Sequence, residues 1–225
     1  MKTNTELQND VMAEFQWDSN LRSVASQIGV AAKDGVITLS GLVDTYSKKI
    51  AAERAAQRVQ GVRVVASDIE VKIPSSLKKT DTEIAGAIRD ALRWNTLVDE
   101  GKMAIKVEDG WVTMSGEVEW AFQRLSAEES IENLMGVKGV TNLIGLKTKR
   151  IDTQEIKREI AAAFHRSATV DSSAVKLDAQ GSRLTLTGTV RSYAEKKEAE
   201  RIAWSSPGVL TVDNRIGIDS EVFAD

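Results

Sequence analysis

At 225 residues, with 42% hydrophobic and 28% charged side chains, the chain has the composition of folded domains and not of a disordered segment. Thirty basic against 33 acidic residues give a formal charge of −3, which leaves no cationic excess to neutralise a nucleic-acid backbone. The absence of cysteine removes disulfides, thiolate metal sites and cysteine nucleophiles together.

The N-terminal MKTNTELQNDVMAEF holds no apolar run of signal-peptide length, and no stretch approaches the roughly 20 apolar residues that span a bilayer. The expectation is a chain without a transmembrane segment, placed in the cytoplasm, or in the periplasm if a signal peptide has been removed. Leu7, Val11 and Phe15 fall at i, i+4 and i+8 and predict a first helix. Alternation through Ile28, Val30 and Ala32 and again through Val36 to Leu39, broken by KDG with Gly35 in the turn, predicts a β-hairpin. An Ala-, Lys- and Arg-rich helix over 46–59 and a strand over 62–73 follow.

The same order then returns. Ile84, Ile88 and Leu92 mark a helix, with Asp81 as its expected N-cap. Met103, Ile105 and Val107, the turn EDG with Gly110, and Trp111 to Met114 form a hairpin. A helix over 121–135 and a strand over 137–148 close the second unit. A third pass runs from Ile156, Ile160 and Phe164, with Thr153 as expected cap, through strands about Val175 and Leu177 and from Leu184 to Leu186. It ends with a helix over 194–204 and a strand over 209–218. The third turn, DAQGS with Gly181, reads as one residue longer than the other two.

The repetition is anchored by glycines. GVITLSGLV, GWVTMSGEV and SRLTLTGTV align at Gly41, Gly116 and Gly188, 75 and 72 residues apart, and a second glycine follows each by twenty residues at Gly61, Gly136 and Gly208. Between the anchors Ala52, Ala127 and Ala199 align without a gap, each followed by a glutamate: Glu53, Glu128 and Glu200. The expected fold class is α+β: three tandem αββαβ sandwiches, each a small mixed sheet with two helices on one face. The expected domains are residues 1–75, 78–149 and 150–225, divided near IPSSLKKTD and KTKRIDT.

This αββαβ repeat, with its hydrophobic-T-L/M-S/T-G phrase and a glycine-valine twenty residues later, resembles the BON domain in three copies over nearly the whole chain. The resemblance implies a non-enzymatic binding module of the kind found in osmotic-stress, envelope and transport-associated proteins. It further implies attachment to a phospholipid surface or to a protein partner. A small-ion or small-ligand sensor, potassium-type, using one copy or an inter-domain cleft, is the alternative, since some relatives bind potassium.

Residue by residue, little here resembles catalytic chemistry. The six anchor glycines sit in no G-x-G-x-x-G or Walker phrase and are read as structural, those after TLS, TMS and TLT letting the strand turn sharply into the next helix. His165, the one histidine, stands where the other copies have Gln16 and Arg93 and lacks the partners of a triad or metal site. The acidic pairs Glu117/Glu119 and Glu128/Glu129 are read as part of charged surfaces, the repeated glutamates being held by i,i+4 pairs with Lys and Arg. No catalytic, cofactor or metal residue is expected, and no oligomeric state is assigned. Trp17 and Trp94 align just past the first-helix stripe, where an indole either closes over the core or meets a membrane or partner; Arg166 replaces them in the third copy.

Overall fold

The computed structural model describes residues 2–147 and 153–218. The first copy comprises α1 (Asn4–Trp17), β1 (Ile28–Lys33), β2 (Val36–Val43), α2 (Tyr46–Arg58) and β3 (Val64–Val71). The second comprises α3 (Asp81–Trp94), β4 (Met103–Glu108), β5 (Trp111–Val118), α4 (Ala121–Glu132) and β6 (Gly139–Leu146). The third comprises α5 (Thr153–Arg166), β7 (Val175–Gln180), β8 (Arg183–Val190), α6 (Tyr193–Trp204), β9 (Thr211–Asn214) and β10 (Gly217–Ile218). Each copy builds its own sheet, with the hairpin's second strand in the middle. The fold class is α+β, as the periodicities require.

By its contacts the chain divides into two compact units, Met1–Ser40, Ala52–Asp68 and Thr148–Asp225 in one and Gly41–Ala51 and Ile69–Lys147 in the other. In the second unit β4 runs antiparallel to β5, with Met103 opposite Gly116, and β6 runs parallel to β5, with Trp111 opposite Gly139. Val112, Met114 and Val118 alternate inward from β5 and share one core with Ile84, Ile88 and Leu92 of α3 and Ala127 and Ile131 of α4. Both helices therefore cover the same sheet face. Tyr46, Ile50 and Val71 also pack on this core. The third copy, in the first unit, repeats the plan with Ile156, Ile160 and Phe164 against Leu184, Leu186 and Val190.

Several local expectations are corrected by the coordinates. The cap of α3 is Thr80, one residue before Asp81: its hydroxyl accepts from the Glu83 N–H and Glu83 accepts from the Thr80 N–H, a reciprocal capping box. Thr3 and Glu6 form the same box on α1. Asp81 does a different job, its carboxylate accepting from the Asp109 and Gly110 amides at 2.8 and 2.9 Å and so tying the hairpin turn to the helix start. Asn4 makes the matching bond to the Asp34 amide. Thr153 is the first residue of α5, and the residue before it lies outside the described residues.

The third hairpin is not longer than the others. Gln180 pairs with Arg183 across a two-residue turn, as Glu108 pairs with Trp111. The difference is turn type. Asp34–Gly35 and Asp109–Gly110 have positive φ at both central residues, whereas in Gly181–Ser182 only the glycine does, so its glycine sits one position earlier. The third copy's last strand is also not continuous: β9 and β10 both pair parallel with β8, and the ladder is interrupted at Arg215 and Ile216.

Candidate binding surface

The repeated glycines hold left-handed backbone, with φ of 129°, 135° and 122° at Gly41, Gly116 and Gly188 and 98°, 91° and 84° at Gly61, Gly136 and Gly208. The first set does not turn the strand into the helix: β2, β5 and β8 each run two residues further. What Gly116 permits is close approach. A Cβ there would collide with the Lys102 carbonyl oxygen, just before β4, and one at Gly188 with the Ala174 carbonyl oxygen. At Gly136 the chain turns from α4 toward β6 against the start of α3, where a Cβ would come within 2.9 Å of both Ile84 and Lys79 side chains.

Two of the repeated glutamates, Glu128 and Glu200, each accept from an asparagine on the last strand of their copy. Asn142 on β6 donates to Glu128 at 3.0 Å and to the Arg124 carbonyl at 3.1 Å, and its Oδ1 accepts from the Ile144 N–H. Asn214 makes the same three bonds to Glu200, the Lys196 carbonyl and the Ile216 N–H. These are links between helix and strand. His165 is exposed, and the Ser172 hydroxyl lies 2.9 Å from its Nδ1. Glu117 and Glu119 are exposed on β5 and just beyond it. Among the described residues no three His, Asp or Glu side chains gather as a metal site, and no helix is long and apolar enough to cross a membrane.

Trp17 and Trp94 are each 86% exposed, so neither indole closes over the core. The reason lies in the helix period. Each tryptophan is two residues past the last inward side chain, Phe15 or Leu92, and at 100° per residue it points to the far side of the helix. The second copy exposes further apolar side chains besides Trp94. Asn95 donates to the Ser126 and Ser130 hydroxyls, and Gln123 donates to the Leu97 carbonyl, which seats residues 94–97 alongside the first half of α4. There Trp120 and Phe122 stack with ring centroids 6.4 Å apart, and Phe122, Leu125 and Leu97 are 49%, 41% and 51% exposed.

Sequence reading passed over this patch because α4 looked like a charged amphipathic helix. Phe122 and Leu125, three apart, lie off the buried Ala121, Ala127 and Ile131 stripe, and that spacing is the signal that reveals them. The patch belongs to the second copy alone. The counterparts of Trp120 and Phe122 are Thr45 and Ser47 in the first copy and Ser192 and Ala194 in the third. The same copy exposes charges of both signs at Arg89, Arg93, Glu119 and Glu129.

What recurs three times is a fold, and what varies is its surface, which defines a tandem array of small α+β modules. The chain belongs to the BON domain family, whose model matches residues 3–73, 80–148 and 152–219. The family is in general non-catalytic and is linked to stress and to membrane and envelope binding. No curated protein matches the chain. Two solved structures of CdsD, a structural protein of the type III secretion system of Chlamydia trachomatis, are similar to it at 13% identity. One covers 94% of this chain and 91% of its own with a TM-score of 0.28; the other, the C-terminal domain, covers 97% and 100% with a TM-score of 0.27.

Proposed function

We propose that the chain is a non-catalytic attachment protein of osmotic or envelope stress, and that its second copy seats on phospholipid surfaces. The observation that carries this reading is the exposed group of Trp94, Leu97, Trp120, Phe122 and Leu125 on one copy of three. Indole and phenyl groups partition to the headgroup boundary of a bilayer, where an apolar ring meets wet surroundings. Membership of a family linked to membrane and envelope binding supports the same choice. Trp17, equally exposed, gives the first copy a smaller apolar contact of the same kind.

The charges exposed on the second copy set the character of the binding. With Arg89 and Arg93 balanced by Glu119 and Glu129, attachment rests on apolar insertion and not on a polybasic attraction to anionic lipid. Flotation of the full chain with phosphatidylcholine vesicles, with and without phosphatidylglycerol, tests this. The expected result is comparable binding to both, little changed between about 50 and 500 mM salt, and a drop of about tenfold or more in the Trp94→Ala/Phe122→Ala variant. Binding confined to anionic vesicles and released by salt contradicts it. So does capture of a protein partner through the patch by a chain that floats with no vesicle.

A further inference from the structure

Trp111 opens β5 and stands opposite Gly139, which opens β6, in the parallel pair of the second copy. A Cβ at Gly139 would run into the Cζ3 and Cε3 atoms of the indole, so the six-membered part of the ring lies down over the glycine. One face of the ring thereby covers Gly139, which is buried, while Trp111 as a whole stays 55% exposed, its other face turned to solvent. Gly139 has no positive φ, so the glycine here serves space and not backbone conformation. Val36 and Val64 stand at these two positions in the first copy, and Arg183 and Thr211 in the third. Only the second copy combines a ring with the one residue that lets it lie flat. Aromatic cover of a glycine stabilises a sheet, which accounts for the covered face of the indole but not for the groups arranged about the bare one.

Val112 and Met114 point into the core, so Trp111 and Thr113 share the opposite, outer face of β5. The ladder sets Thr141 of β6 and Lys106 of β4 on either side of Thr113, and Glu108 of β4 opposite Trp111. The Thr113–Thr141 row therefore offers two hydroxyls about 7 Å along the sheet from the ring, two residues away. Leu143, exposed on the same face of β6, is a second apolar contact about 7 Å further on. The charges near the ring close on each other: Lys106 meets Glu108 at 2.9 Å, and Lys138, just before Gly139, meets Asp109 of the hairpin turn at 2.8 Å. The surround is neutral and supplies both donors and acceptors. It matches neither an anion nor a cation, but an uncharged ligand with many hydroxyls.

We infer that this outer sheet face binds a neutral, β-linked oligosaccharide, one pyranose ring stacked on the free face of Trp111 and the hydroxyls of the next bonded to Thr113, Thr141 and the Lys106–Glu108 pair. A pyranose turns a layer of weakly positive C–H groups toward the negative face of the indole, and its rim of hydroxyls takes the polar partners. A β-linked chain is a flat ribbon and lies along a sheet, where an α-linked chain coils away from it. Both helices pack on the other face of this sheet. The site is therefore separate from Trp94 and the aromatic residues of α4, and it does not rest on the lipid reading.

The test is calorimetric titration of the full chain with cellotetraose and with N-acetylchitotetraose, and with maltotetraose as the α-linked comparison. The expected result is saturable binding of at least one β-linked sugar, with a Kd of about 0.1–1 mM, and binding of maltotetraose about tenfold weaker or less. Trp111→Ala is expected to weaken binding about tenfold or more. Gly139→Val, which installs the first copy's residue, keeps the tryptophan and lifts its ring off the strand; a similar loss is expected. Trp94→Ala/Phe122→Ala, which disables the proposed lipid contact, is expected to bind the sugar as the wild type does. Should Trp111→Ala and Gly139→Val fail to fold, Thr113→Val/Thr141→Val keeps the β-branched shape, drops both hydroxyls and carries the comparison with a several-fold loss. The inference is overturned by an absence of saturable binding to both β-linked sugars, by unchanged affinity in any folded site variant, or by a loss in Trp94→Ala/Phe122→Ala. Binding of maltotetraose or tetramethylammonium as tight as that of the β-linked sugar overturns it as well.

Discussion

Asn142 on the last strand of the second copy donates its side-chain amide to the Glu128 carboxylate on α4 across 3.0 Å, and Asn214 and Glu200 repeat the bond in the third copy at 3.2 Å. The first copy has Glu53 but carries Ser67 in place of the asparagine, and the Ser67 hydroxyl is buried without a partner. Ser67→Asn is therefore expected to stabilise the chain by about 0.5–1.5 kcal/mol by giving that position its missing bonds. Asn142→Ala, which breaks three bonds, is expected to destabilise it by about 1–3 kcal/mol. Urea unfolding of the full chain measures both, and equal effects of the same sign would refute the pairing.

Glycine substitutions are expected to go in opposite directions at two sites only thirty residues apart. Gly116→Ala puts a Cβ against the Lys102 carbonyl on backbone at φ 135°, and a loss of about 3 kcal/mol or more is expected. Gly86 lies inside α3 with nothing within 4 Å of a new Cβ, so Gly86→Ala is expected to gain up to about 1 kcal/mol from helix propensity. Thermal unfolding of the two variants beside the wild type decides the matter.

The capping boxes set an acid dependence. The Thr3 and Thr80 backbone N–H groups, followed by their hydroxyls, hold the Glu6 and Glu83 carboxyls below the ordinary value of 4.5. A carboxyl depressed in the folded state contributes stability that is present above its unfolded value and is lost as pH falls through its folded value. Glu6→Gln/Glu83→Gln keeps an acceptor that does not titrate. The variant is expected to lose less melting temperature than the wild type between about pH 5 and pH 3. Parallel acid profiles for the two proteins would refute the assignment.

The repeat, its element order and its fold class were legible in the sequence because the glycine spacings are tied to backbone that few other residues adopt, and because each buried stripe keeps its period. Smaller features misled for identifiable reasons. Thr80 and Asp81 are both good caps, and only the glutamate three residues after Thr80 distinguishes them. Gly181 occupies the first and not the second turn position, which looks like an inserted residue until the strands are paired. Glu200 lies among lysines and arginines in sequence, while its asparagine partner, like that of Glu128, comes from a strand 14 residues later. The aromatic patch arises from side chains of different elements, so no single segment announces it.

The fluorescence of Trp94 reports most directly on the central claim, that the second copy's aromatic surface enters a lipid boundary. In a chain whose other four tryptophans are replaced by phenylalanine, vesicles are expected to shift Trp94 emission to the blue, and brominated phosphatidylcholine is expected to quench it. An emission spectrum that stays that of a water-exposed indole, unquenched in the presence of vesicles that the chain binds, would contradict the account.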